Sequence, residues 1–220
     1  MERADRILDA AAALLVRLGY RKVTIEDIAQ RAGIGKGTVY LHWRTKQQLF
    51  DALLLREAIA YLESLLAELR RDPATVLPHR LLSFSFVDVH GRPVLQTLVT
   101  GDTRALQGLL ADRPLRSQEL LATKRMFELL VGHGLLRDDV PHLTYAMSAL
   151  NSGFYLVDAL DPQAAELDVR AKADALAFVV RHALEPATPP GPEEVAQAAA
   201  EVITVFEELI PPYRQWIYQG

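Results

Sequence analysis

The chain has 220 residues, 50% of them hydrophobic, no cysteine and a formal net charge of −4. That length supplies a real core for one or two domains, and without thiols there is neither a disulfide framework nor a thiolate metal site. The first 20 residues lack the unbroken apolar run of a signal peptide, and no apolar run reaches the roughly 18 residues needed to span a bilayer, so a soluble, cytoplasmic protein with no membrane partner is expected.

The elements are predicted as follows. A first helix over about Arg3–Leu18 puts Ile7, Ala11, Leu14, Leu15 and Leu18 on one face and stops at Gly19. Thr24 is a good N-cap with Asp27 three residues on as its capping-box partner, and Val23 can staple onto Ile28. A short helix therefore starts near Ile25, with Ile25, Ile28, Ala29 and Ala32 at helical spacing, and Gly33 ends it in the left-handed region. Gly35 caps a second short helix, Lys36–His42, in which Val39 faces inward together with Trp43 while Lys36, Gly37, Thr38, Tyr40 and His42 face outward. Thr45 and Gln48 form another capping box, so a fourth helix runs from Lys46 to about Arg70, where Asp72-Pro73 ends it. Its N-terminal amides and Lys46 suit a phosphate.

Beyond it, helices are predicted near 76–90, 93–110, 115–133, 141–160, 164–184 and 193–210, divided by Gly91, Pro93, Pro114, Gly134, Pro141, Pro162 and Pro186. Gly191-Pro192-Glu193-Glu194 reads as a cap, a first-turn proline and two acids favoured by the helix dipole. Nothing alternates as a strand would, so the fold class is all-α. An N-terminal three-helix head carrying a helix-turn-helix is expected over 1–46, and a C-terminal helical bundle over 47–220.

The charge is uneven. Residues 1–46 hold nine Lys/Arg against five Asp/Glu, a balance of +4 that leaves −8 on the rest. A basic head on an acidic body suits contact with phosphates at one end. The glycines of Ala32–Thr38 lack the spacing and the preceding strand of a nucleotide loop. The six histidines, His42, His79, His90, His133, His142 and His182, make no tight ligand set, and no nucleophile signature is present. Neither a metal, a cofactor nor an enzymatic activity is expected.

The segment from about Ile7 to Leu53 resembles the N-terminal domain of the TetR family of bacterial transcriptional regulators. The resemblance rests on Thr24, Asp27, Ile28, Ala29, Ala32, Gly33, Gly37, Thr38, Tyr40, Trp43, Lys46 and Leu49 at the family's spacing. Gly35 departs from the family's frequent Ser, and Trp43 from its usual Phe. The resemblance implies double-stranded operator DNA as partner, a homodimer, an unidentified small-molecule effector and repression relieved by that effector. It implies Thr24, Tyr40 and Lys46 as phosphate contacts, Lys36, Thr38 and His42 as contacts to base edges, and close backbone approach at Gly37. Lys22, apart from the resemblance, is a further candidate for a phosphate contact.

A pocket in the body is implied in the same way. Tyr61, Phe84, Phe86, Met126, Phe127, His133, Asn151 and Tyr155 are the side chains best able to line it. The dimer is expected on the helices beyond Pro141, where Ala146, Leu150, Phe154, Val157 and Leu160, or Val169, Ala173, Leu176, Val180 and Leu184, form broad apolar faces. The competing reading is a small-molecule- or partner-binding helical protein with no operator recognition, against which Thr38, Tyr40 and Lys46 speak.

Overall fold

The structure, a computed structural model, describes residues 2–100 and 114–219. Among these residues every regular element is helical: α1 (Glu2–Leu18), α2 (Ile25–Ala32), α3 (Lys36–His42), α4 (Lys46–Arg71), a 3-10 turn (Pro73–Val76), α5 (Pro78–His90), α6 (Pro93–Thr100), α7 (Arg116–Gly132), α8 (Leu143–Leu160), α9 (Pro162–Ala165), α10 (Val169–Leu184), α11 (Pro192–Glu207) and α12 (Ile210–Gln219). The part of the expected 93–110 helix beyond Thr100 lies outside the described residues. No helix is long and apolar enough to cross a membrane, among the described residues.

The described residues form two compact units. The first contains 2–60, 92–100, 114–116 and 210–219. In it α1 packs on α2 and α6, and α2 on α3. Its buried side chains include Ile7, Leu8, Leu15, Val23, Ile28, Val39, Trp43, Leu49, Phe50 and Leu53. Arg56 of α4 donates to Asp9 of α1 at 2.8 Å, and the Tyr218 hydroxyl of α12 donates to Asp5 at 2.7 Å.

The second unit contains Tyr61–Gly91 and Ser117–Leu209. Leu65, Leu69, Val76, Leu81, Leu130, Leu135, Leu136, Met147, Leu184, Val195, Ala198, Ala199 and Val202 make its core. Here α10 packs along α5, and α11 covers the 3-10 turn. The buried Glu185 carboxylate satisfies the N-terminus of α5, accepting from the His79 backbone N–H at 2.6 Å and from Arg181 at 3.1 Å. A buried carboxylate is tolerable only when its lone pairs are filled in this way.

Several boundaries differ from the sequence reading for local reasons. The expected 76–90 helix is a 3-10 turn followed by α5, because Pro78 starts a new helix at its first turn. The expected 164–184 helix is α9 plus α10, since Asp168 accepts from the Arg170 N–H and caps a fresh start. The helix α12 was not anticipated: Pro211-Pro212 reads as a breaker, yet prolines in a first turn forfeit only N–H groups that lack intrahelical partners.

Candidate nucleic-acid interface

The capping box of α2 is present on both sides. The Asp27 N–H donates to Thr24 Oγ1 at 3.1 Å, the Thr24 N–H donates to Asp27 Oδ2 at 3.0 Å, and the Thr24 hydroxyl donates to the same Oδ2 at 2.6 Å. These bonds hold the Asp27 carboxyl below the usual carboxylate range. Gly33 sits at φ 68°, its N–H closing α2 on Ala29 and Gln30. That left-handed residue turns the chain so that α3 crosses the end of α2 with Val39 and Trp43 buried. The Trp43 indole Nε1 is buried there with no hydrogen-bond partner.

With Val39 inward, the 100° step of an α-helix puts Gly37 and Leu41 on the side of α3 directly opposite the core. Lys36 and Tyr40 flank that outer line on one side, Thr38 and His42 on the other. Tyr40 is exposed, Thr38 and His42 are half-buried, and the His42 ring lies against Trp43 at 5.5 Å. A side chain built at Gly37 would meet nothing within 4 Å, so this part of the α3 backbone is open on its outer side.

The two lysines are held differently. Lys36 is ion-paired to the exposed Glu26 of α2, which lowers the Glu26 pKa and raises that of Lys36, and its Nζ stands 5.7 Å from the Tyr40 ring centre. Lys46 donates to the Tyr20 carbonyl at 2.5 Å and lies over the Tyr20 ring at 4.3 Å. Burial lowers its pKa. The Lys46 ammonium has two donors beyond that carbonyl, and α4 starts beside it, with the Gln48 N–H donating to Thr45 Oγ1 at 3.0 Å. Gln48 Oε1 in turn accepts from the Arg44 N–H at 2.9 Å, one residue earlier than the expected box.

Thr24, Lys36, Gly37, Thr38, Tyr40, His42 and Lys46 are thus brought together on α2, α3 and the start of α4 in one unit. The residue missed from the sequence is Leu41, 85% exposed on the outer line of α3. Counting two residues, or 200°, on from the inward Val39 would have found it.

The second unit contains a cavity of about 300 Å³ whose lining includes Tyr61, Leu81, Ser85, Met126, Phe127 and Asn151. Four of the eight expected pocket residues therefore meet: Tyr61, Met126, Phe127 and Asn151. Tyr61 and Ser85 hydroxyls lie 2.7 Å apart, and Thr123 and Ser148 add two more hydroxyls to the wall. The other four are elsewhere. Phe86 is fully buried in an aromatic group with His90 at 4.1 Å and Tyr155 at 5.0 Å. Burial there, near Tyr61 and Asp88, pushes the Tyr155 phenol pKa up. Phe84 lines a separate open depression with Arg80, Arg170 and Asp174. His133 faces Glu201 at 3.3 Å. No group of three or more His, Cys, Asp or Glu able to hold a metal occurs among the described residues.

A Gly-turned pair of short helices, buttressed by α1, with polar and basic side chains on the outer face of the second, defines the first unit as a helix-turn-helix module on an all-helical chain. The family model of the bacterial regulatory proteins of the tetR family matches residues 7–53, the segment that contains this module. The chain is 47% identical over 49 residues to the uncharacterized HTH-type transcriptional regulator YvkB of Bacillus subtilis, covering 22% of this chain and 26% of that protein. It is 32% identical over 87 residues to the probable acrEF/envCD operon repressor of Escherichia coli K12, covering 37% and 39% respectively. These alignments span between a quarter and two fifths of the relatives' length. A solved structure, the fatty acid degradation regulator FadR of Bacillus halodurans, superposes with a TM-score of 0.63 at 16% identity over 82% of this chain and 95% of that one, which extends the likeness of fold through the body.

Proposed function

We propose that the chain is a cytoplasmic, homodimeric repressor of transcription that reads a pseudo-palindromic operator and releases it when a small molecule fills the body. The observation that carries this reading is the α2–α3 pair, in which Val39 and Trp43 fix the helix while Lys36, Gly37, Thr38, Tyr40 and Leu41 are left to face outward. Thr24, Tyr40 and Lys46 hold phosphates, and the outer face of α3 reads base edges in the major groove. The two lysines and the +4 balance of residues 1–46 add a sequence-independent attraction. Residues 1–46 do the reading, and 47–220 bind effector and pair. Repression, rather than activation, follows the operon repressor that the alignment reaches in Escherichia coli.

One short helix reads only a few base pairs. Two of them about 34–36 Å apart read a symmetric site, which requires a dimer. In the second unit α8 and α10 pack on each other and leave Tyr145, Val157, Leu160, Phe178 and Val179 exposed, and a shallow apolar groove runs along α8 at Ala149, Gly153 and Phe154. A two-fold copy of the same pair of helices covers those side chains.

The effector is uncharged. No Asp, Glu, Lys, Arg or His lines the 300 Å³ cavity among the described residues, and burying an unpaired ion there costs far more than apolar contact returns. A neutral molecule with an apolar body and one or two oxygens matches Leu81, Met126 and Phe127 on one side and Tyr61, Ser85 and Asn151 on the other. Such a ligand lowers operator affinity by its preference for the dimer that does not fit DNA.

The deciding experiment selects binding sites from fragmented host DNA with purified protein, using Tyr40→Ala as control. An enriched inverted repeat is the expected result. No enrichment over the control overturns operator recognition and leaves the competing reading of a helical small-molecule binder.

A further inference from the structure

We infer that Leu41 is a specificity residue that reads thymine by packing on its C5-methyl group in the major groove. The inference rests on the proposed DNA reading and goes beyond it, since Leu41 is assigned there no partner of its own. It starts from the placement of an isobutyl side chain, 85% exposed, on a seven-residue helix whose inward positions are already filled by Val39 and Trp43. Leu41 buries little of its side chain within the head, so its apolar surface is available to a partner.

The placement says what covers it. Leu41 and Gly37 are four residues apart, so they share one line of α3, and that line is diametrically opposite buried Val39. Gly37 presents no side chain, and the space where its Cβ would stand is open. A double helix can therefore approach the α3 backbone closely at Gly37, and Leu41 is then the side chain that reaches deepest one turn further on. Of the three polar residues that the sequence suggested for base reading, Lys36 is ion-paired to Glu26, His42 is half-buried against Trp43, and Thr38 is half-buried with a side chain shorter than that of Leu41. Leu41 has no hydrogen-bonding atom, so it cannot read the donors and acceptors of a base edge. The only apolar group displayed on the floor of the major groove is the thymine C5-methyl. Basic and polar neighbours on both sides, Lys36, Thr38 and Tyr40, favour a polyanion over an apolar protein surface as the occupant.

The test uses the full chain and a selected binding site in which each thymine is replaced singly by deoxyuridine, which removes only the methyl group. Dissociation constants are measured at one fixed salt concentration for the native protein, Leu41→Ala and Leu41→Met. For the native protein, deoxyuridine at one or two positions in each half-site should weaken binding about three- to tenfold, the scale of one small apolar contact. At those positions Leu41→Ala should lose the distinction between thymine and uracil, and Leu41→Met should retain part of it. Since Leu41 is exposed, both variants should keep the native thermal midpoint. Equal deoxyuridine penalties in native protein and Leu41→Ala, or no sensitive thymine at all, would overturn the inference while leaving operator reading intact. Failure to select any site would remove both.

Discussion

Lys46 and Lys36 carry the same formal charge, and the structure gives them different parts in any contact with DNA. Lys46 is oriented in advance by the Tyr20 carbonyl and the Tyr20 ring, so its ammonium loses little freedom on meeting a phosphate. Lys36 must first leave Glu26, an exposed pair worth little in itself but one that would place a carboxylate beside DNA bound as proposed. Glu26→Gln should therefore tighten operator binding a few-fold, because it frees the lysine and removes a like charge facing the phosphates. Lys46→Ala should weaken binding to all sequences alike and reduce the slope of log K against log salt by about 1. A salt titration of both variants by fluorescence anisotropy checks the pair; a Glu26→Gln protein that binds more weakly than native would show that the ion pair organises α3 instead of competing with DNA.

At the scale of the element, α2 is eight residues long and too short to persist on propensity, so its ends matter. Thr24→Ala removes the acceptor for the Asp27 N–H and the donor to its carboxylate, and should cost about 1 kcal/mol of unfolding free energy. The same box predicts a pH dependence. The folded Asp27 pKa is depressed, so the stabilisation is present above the unfolded carboxylate pKa and is lost as pH falls through the folded value. Acid should thus narrow the gap between native protein and Thr24→Ala, a trend that urea denaturation at several pH values would follow. Local signals of this kind are why the head was legible residue by residue: Thr24, Asp27, Gly33 and Val39 each act through neighbours within one or two helical turns. The cavity was only half legible, because its wall is assembled from α4, α5, α7, α8 and α11, and aromatic content alone does not separate Phe127, which lines it, from Phe86, which is sealed in the core. Boundaries failed where one residue had two meanings, as at Pro211 and Pro212, which stop a helix from within and start one at its first turn.

Across the whole molecule, the apolar faces read from the sequence turn out unlike. On α10, Ala173, Leu176, Val180 and Leu184 are buried and complete the fold, whereas Leu160 on α8 and Phe178 on α10 are 82% and 64% exposed. The first set would destabilise the protein if made polar; the second set should leave it folded and alone. Leu160→Asp with Phe178→Asp puts two carboxylates into each half of the proposed two-fold interface, four in all, with no basic partner supplied and with the burial of two large side chains, each about 1.5–3 kcal/mol, forfeited on either side. The double variant should sediment as a monomer with a thermal midpoint typical of its own monomeric fold and an unchanged helical spectrum. Its affinity for a single half-site should match that of the native protein. Its affinity for the complete inverted repeat should fall by about 10²–10⁴, the advantage that linking two readers confers when the second contact becomes intramolecular. A double variant that remains dimeric would move the interface off α8 and α10; one that is monomeric yet binds the full repeat as tightly as the native protein would show that the two reading heads act independently, and that spacing them is not how an effector could control the operator.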